Sequence, residues 1–280
     1  MLEELKIKFR KWIVVIIRKI FGALGFKIER INQENICNFF PYFIDKELEG
    51  VKFKFYIGDS DGKKWYHIGT TDPPWLEMRF IKERLIQKGD IVFECGSHHG
   101  CTALLLSNWV GETGKVVAFE PNPSNFEIAK INLSINSVRN VELVKSAVGR
   151  NSDEVLLDIS SSNSSILYDK SNNKSNLVKS ISLDSLEDVT PDVIKIDVEG
   201  FEIEVLIGAK RILKNKPKLA IEIHVEQLIK YNYSVSEIFD LINIDNYDFW
   251  IQWEDNEYPV PYKFEKPINK RVHIFGLPKL

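Results

Sequence analysis

The sequence predicts an open, doubly wound α/β fold: a mostly parallel sheet with helices on both faces. Three observations carry that reading. The apolar run Ile91-Val92-Phe93 ends at an acid, Glu94, and enters a turn with two glycines four apart, Gly96 and Gly100. One helix-length later a second apolar run, Val116 to Phe119, also ends at an acid, Glu120. From there, strand-like and helix-like segments alternate almost to the C-terminus. Strand, Gly turn, helix, strand, carboxylate is the order of a nucleotide-binding half-sheet. The glycines let backbone pass close to a ligand, and Glu120 is placed to take two hydrogen bonds from a ribose diol.

Each element has a local reason. Residues 101–110 and 124–136 show helical apolar spacing, the second with Asn122 or Ser124 as N-cap, and 141–144 is a strand. Residues 154–159 and 178–183 read as strands flanking a Ser/Asn-rich stretch, 160–180, either a solvated loop or a lid that orders over an acceptor. Residues 193–198 and 219–225 are strands, and 201–213 and 235–244 helices. Residues 249–253 and 271–275 are strands joined by a loop instead of a helix, which predicts an antiparallel closing pair. Upstream, 31–50 looks irregular, and 51–57 with 64–68 suggests a β-hairpin around Gly58-Asp59-Ser60-Asp61-Gly62. Asp72-Pro73-Pro74 stops that unit, and 75–87 reads as a helix before Gly89-Asp90 launches the first core strand. The predicted organisation is an N-terminal helix (1–30), a hairpin extension (31–74) and the sheet domain (75–280).

Composition sets bounds on partners. With 44% hydrophobic and 28% charged residues and a net charge of −3, the chain resembles an ordinary globular protein and gives no reason to expect a nucleic acid. Three cysteines, Cys37, Cys95 and Cys101, form neither an even disulfide framework nor a metal-ligand spacing, which points to a reducing, cytoplasmic setting. The apolar run 12–17 is far too short to span a bilayer. Leu2, Leu5, Phe9, Trp12, Ile13, Ile16, Ile20 and Leu24 share one helical face, with Lys8, Arg10, Lys11, Arg18 and Lys19 mostly opposite. Two readings stand for this basic amphipathic helix. It rests peripherally on an anionic membrane, or it docks on its own domain or on a second copy in a homo-oligomer.

Four segments carry a family resemblance: Gly89 to Gly100, Gly114 to Pro123, Ser182 to Leu186, and Asp192 to Gly200 with its Asp197-Val198-Glu199-Gly200 end. In order and spacing they resemble the FkbM-type S-adenosylmethionine-dependent methyltransferases, over about residues 75–225. The resemblance implies a Rossmann-like class I methyltransferase fold, with a mostly parallel seven-stranded sheet and an antiparallel closing strand. It also implies O-methylation of a sugar hydroxyl in a glycan, glycolipid or secondary metabolite. Non-sugar acceptors stay open within the enzyme class, and a non-catalytic cofactor-binding module is the rival outside it. The chain departs from the family at Glu94-Cys95-Gly96-Ser97-His98, where Asp-x-Gly-Ala-Asn is usual.

The cofactor-binding candidates are Glu94, Gly96, Ser97, His98, Gly100, Glu120, Pro121, Ser146, Ala147 and Asp197. Glu94 suits the cofactor's ammonium, and N–H groups of Gly96 to Gly100 suit its carboxylate at a helix N-terminus. Ser146 and Ala147 fall at the adenine edge by position and family analogy. A dinucleotide is disfavoured, because its pyrophosphate wants a middle glycine where His98 and His99 stand. Asp197 and Glu199, two apart at a strand end, point the same way, as do Glu222 and His224 on the next strand. Asp197, Glu199 and His224 are the catalytic candidates, with His224 or Asp197 as general base. No metal is predicted, although Asp197, Glu199 and Glu222 offer oxygens suited to Mg²⁺ or Ca²⁺. The plain alternative pairs Glu222 with Lys195 and leaves His224 satisfying a loop carbonyl. His67 and His273 read as structural. Trp250, Trp253, Tyr258 and Tyr262, with Glu254, Asp255 and Glu257, suit either a sugar ring or core packing.

Overall fold

The computed structural model describes residues 39–66, 75–159, 164–167 and 175–279; the N-terminal helix, Cys37 and His67 lie outside these. In chain order the strands are β1 (Tyr42–Leu48), β2 (Val51–Ile57), β3 (Ile91–Cys95), β4 (Lys115–Phe119), β5 (Val141–Val144), β6 (Ala147–Val148) and β7 (Glu154–Asp158). They continue with β8 (Ile166–Leu167), β9 (Ser175–Ile181), β10 (Val193–Ile196), β11 (Lys218–Ile223), β12 (Tyr247–Gln252), β13 (Val260–Tyr262) and β14 (Val272–Pro278).

The large sheet has the order β13-β12-β14-β11-β10-β3-β4-β5. Strands β5, β4, β3, β10 and β11 are parallel, while β14 runs antiparallel to β11, and β12 and β13 follow as antiparallel neighbours. This is the predicted Rossmann-like class I methyltransferase fold. The sheet has eight strands where seven were expected, because Val260–Tyr262 folds back along β12. All four residues of β10 are buried, as a parallel strand covered on both faces requires. Chain order reverses between β3 and β10, so a crevice opens past their carboxyl ends.

Several expectations need correcting. The hairpin exists but lies one element earlier: β1 pairs with β2 through a turn at Glu49-Gly50. The Asp59 to Gly62 cluster instead opens a helix, Ser60–Tyr66, in which Asp59 Oδ1 accepts the Gly62 N–H. The helix expected over 75–87 is Leu76–Phe80 continued as a π turn, Ile81–Leu85. That expected over 201–213 is two helices, Glu202–Ile207 and Lys210–Leu213, broken at Gly208, where a side chain would collide with Gly149 backbone. Within 160–180, β8 and most of β9 join β6 and β7 in a second, four-stranded sheet.

The hairpin is fixed to the sheet domain by two asparagines. Helix Pro123–Ile135 starts as expected, with the Asn122 side chain accepting from the N–H groups of Ser124 and Asn125. Asn132 and Asn136 lie one turn apart near its end. Asn136 accepts from the N–H of Lys54 at 2.9 Å and donates to its carbonyl at 2.7 Å. Asn132 does the same for Tyr56, at 2.6 and 3.3 Å, and donates also to the carbonyl of His99 at 3.0 Å. The helix thus supplies the ladder partners that β2 otherwise lacks on that edge.

Candidate active site

A cavity of about 650 Å³ lies above the carboxyl ends of β3, β4, β10, β11 and β12. Gly96, Ser97, His98, Glu120, Pro121, Ser146, Ala147, Asp197 and Glu199 line it. Glu94, Gly100 and His224 do not.

At one end, Glu120 is only 4% exposed. Its Oε2 accepts the N–H of His98 at 2.7 Å and its Oε1 that of Asn122 at 2.8 Å. These are N–H donors and not cations, so burial outweighs them and pushes the carboxyl up to about 8. Gly96 has φ +90°, and a Cβ there would overlap the carbonyl oxygen of Asp197. Only glycine lets β3 and β10 approach so closely at the crevice.

The turn is not the open anion nest that its glycines suggest. The N–H groups of Gly96 and Ser97 donate to the Phe119 carbonyl, that of His98 to Glu120, and that of Gly100 to Ser97. The turn is therefore a buckle tying β3 to β4. Glu94 is fully buried behind it, accepting from Thr102, which does line the cavity. An ammonium contact through Glu94 must therefore pass by Thr102.

His98, at φ +49°, receives Tyr66 at 2.7 Å on Nδ1 and stacks on His99 with ring centroids 4.0 Å apart. Burial, with His99 alongside, pushes its imidazole down to about 3. It is neutral at physiological pH, so one proton is shared between the Tyr66 hydroxyl and Nδ1 in a direction that the ring's tautomer sets. His99 Nε2 faces Asp59 at 3.4 Å. Helix Ser60–Tyr66 thus roofs the glycine turn, which the predicted strand at 64–68 had not foreseen.

The centre of the cavity is acidic. Lys195, 4% exposed and two residues before Asp197 on β10, reaches its Oδ2 at 3.3 Å. Glu199 follows at φ +53°. His224 is 5% exposed and set behind the wall. Its Nδ1 is 2.8 Å from Glu202 Oε1, and its Nε2 is 3.5 Å from both Glu199 and Glu222. Burial opposes its charge, but Glu202, Glu222 and Asp197 together raise the ring to about 10. Protonated at neutral pH, His224 has no lone pair with which to act as a base. Ligand-type atoms of Asp197, Glu199 and His224 lie within 4.8 Å of one another, but a divalent cation there would require His224 to give up its proton.

Glu222 pairs with Arg271 and not with Lys195. His273 stands opposite it across β11 and β14 and is no bystander. It lines the cavity with Glu77, Asp255 and Gln252. Its Nδ1 is 3.6 Å from Glu77 and its Nε2 3.7 Å from Asp255, and these acids lift it to about 9 against the cost of burial.

Trp65, Tyr66 and Trp75, with Phe119 and Phe201, supply the aromatic lining. Trp250 and Tyr258 instead pack on Phe80, and Trp253 and Tyr262 on each other. Sequence reasoning missed Thr102, Lys195's tie to Asp197, Glu202, Gln252 and Arg271. Only Lys195 had a readable signal, its two-residue offset from Asp197 on one strand face.

Among the described residues no helix is long and apolar enough to cross a membrane. The chain is 31% identical over 145 residues to the hexuronic acid methyltransferase AglP of Haloferax volcanii, covering 49% of this chain and 57% of that one. It superposes on a methyltransferase FkbM from Methylobacillus flagellatus with a TM-score of 0.49 at 19% identity, over 76% of this chain and 50% of the other. A SAM-dependent O-methyltransferase from Thermotoga maritima gives a TM-score of 0.44 at 14% identity, over 85% and 78%. The chain therefore spans little more than half the length of AglP and of the Methylobacillus protein. Residues 94–256 match the methyltransferase FkbM domain, so this chain belongs to the FkbM methyltransferase family.

Proposed function

We propose that this protein binds S-adenosylmethionine and transfers its methyl group to an oxygen of a sugar. The observation that carries the reading is Glu120. It is a buried cavity-wall carboxylate held by N–H donors; Oε2 keeps a lone pair for one ribose hydroxyl, and Oε1 can take the other in place of its long 3.4 Å contact with the Asn125 amide. The residues fit the cofactor in other ways. Ser146 and Ala147, past β5, offer an edge for adenine, and Pro121 with Gly96, Ser97 and His98 shapes the wall between. Asp197, accessible beside Lys195, suits the ammonium, a role that Glu94 takes up only from behind Thr102.

When bound, S-adenosylmethionine supplies an electrophilic methyl on a sulfonium centre. The chain's own residues must then orient the acceptor oxygen, exclude water and take its proton. Because His224 already holds a proton, that duty falls to a carboxylate on the wall, and Glu199, in the turn two residues past Asp197, is the one beside the ring. A sugar acceptor is favoured by the similarity to AglP and by the aromatic faces of Trp65 and Trp75 beside polar groups. A cytoplasmic location remains part of the same proposal, as do the alternatives for residues 1–30, a membrane surface or docking on their own domain or on a second copy in a homo-oligomer, on the sequence grounds already given. So does the division into helix, extension and sheet domain.

Two measurements test the reading. Isothermal titration should show binding of S-adenosylmethionine and of its demethylated product, and no heat with either rejects it. Incubation with S-adenosylmethionine and methyl glycosides of neutral, N-acetylamino and hexuronic sugars should add one CH₂ per transfer by mass spectrometry. Binding without transfer to any glycan of the native host would favour the non-catalytic module.

A further inference from the structure

We infer that Glu202 is the positioning residue of this site: acting through His224, it holds the Glu199 carboxylate in the orientation that the acceptor meets. The inference rests on the proposed transfer reaction and adds a residue and a layer to it.

Glu202 is fully buried at the start of helix Glu202–Ile207, where a carboxylate without compensation is costly. Its Oε1 accepts the Gly200 N–H at 2.9 Å and lies 2.8 Å from His224 Nδ1. The first contact pins the residue that follows Glu199, in a turn where Glu199 has φ +53° and Gly200 φ +98°. The second fixes the ring, so that Nε2 stands 3.5 Å from Glu199 Oε2. One buried oxygen thus holds Glu199 twice, through the backbone behind it and through the imidazole beside it. Glu199 lines the cavity and neither Glu202 nor His224 does. The order, from buried acid through ring to working carboxylate, is that of an orienting relay. An apolar residue would fill the space at no desolvation cost, yet it would leave both contacts unmade.

Glu202→Gln separates this role from a structural brace, because an amide oxygen still accepts from both donors while the charge is lost. The expected result is an unchanged melting temperature, with affinity for S-adenosylmethionine and acceptor KM within about threefold and kcat down about 10- to 100-fold. The methyl hexuronoside that the wild type methylates serves as probe. In a double-mutant cycle, Glu202→Gln with His224→Asn should be no slower than His224→Asn alone. Wild-type kcat in Glu202→Gln, or additive losses, overturns the inference.

A readout independent of turnover is the His224 side-chain NMR signal in the full-length protein. The wild type should show a strongly deshielded Nδ1–H that moves upfield in Glu202→Gln, and its absence from the wild type refutes the relay. Should S-adenosylmethionine fail to bind the wild type, the proposed function falls on that result, and the imidazole signal decides the inference separately.

Discussion

The two ends of the cavity differ in charge state: one is neutral, the other ionised. At the Glu120 end a carboxyl is pushed up to about 8 and an imidazole, His98, down to about 3, so both tend to neutrality. At the Glu222 end an imidazole, His273, is lifted to about 9 and a carboxyl, Asp255, held down to about 2, so both stay ionised. Glu120 and His273 are buried alike, although Asp255 reaches solvent. What differs is the company: N–H donors, a phenol and a second imidazole at one end, Arg271 and a set of carboxylates at the other. The first end is suited to hydroxyls and rings, which need polar atoms without net charge. The second compensates its own charges and so holds a rigid shape without a ligand.

That contrast can be broken at the Glu120 end. Glu120→Ala removes two hydrogen bonds to a charged or proton-sharing acceptor, worth about 1.5–3 kcal/mol each, and should weaken S-adenosylmethionine binding about 10²- to 10⁴-fold by titration calorimetry. Asp255→Ala, at the other end, should change the same constant less than about threefold. Equal losses in the two variants would erase the distinction between the ends. At the centre, Glu199→Gln should lower kcat about 10²-fold while leaving cofactor affinity intact. A wild-type rate in that variant would move the proton-accepting role to Asp197.

The histidines sharpen the comparison through pH. His273 is raised above its ordinary 6.5, so its contribution to stability is complete below pH 6.5 and lost as pH rises through about 9. His98 is depressed, so its contribution is complete above pH 6.5 and lost as pH falls through about 3. His273→Gln should flatten the alkaline limb of a melting curve against pH, and His98→Asn the acid limb. Each change should amount to about 1–3 kcal/mol at the extreme of its window, at about 1.4 kcal/mol per pH unit for a full proton. If His273→Gln altered the acid limb instead, the charge states assigned to the two ends would be reversed.

The same division marks what a reader of the sequence can see. The Glu120 end is built from consecutive residues, a glycine turn and the end of the next strand, and the parallel alternation around it is a repeated local signal. Hence the fold class and the Gly96 to Glu120 neighbourhood were legible, and the helix at 101–110 to the residue. The other end gathers Glu77, Glu222, Asp255, Arg271 and His273 from segments that meet only when β14 inserts between β11 and β12. No spacing records that meeting. Two local rules also misled. A Gly-rich cluster at 58–62 suits a hairpin turn, but Asp59 captures the Gly62 N–H and starts a helix. Aromatic residues at 250–262 suit a sugar platform, but the core claims them first.

The smallest test bears on the roof of the neutral end. Tyr66 belongs to a helix outside the family-matched residues, yet its hydroxyl is hydrogen-bonded to His98 Nδ1. Its phenol is raised well above the ordinary value by burial, with nearby Asp197, Glu120 and Glu94 adding to that effect, so it stays protonated. Tyr66→Phe keeps the ring that packs on Phe55 and removes only the hydroxyl. The imidazole Nδ1 is then left buried without its partner, at a cost of about 1–2 kcal/mol in chemical denaturation. Cofactor affinity should fall only a few-fold, because the backbone N–H of His98 still holds Glu120. A loss as large as that of Glu120→Ala would mean that the roof, and not the carboxylate, governs what this end binds.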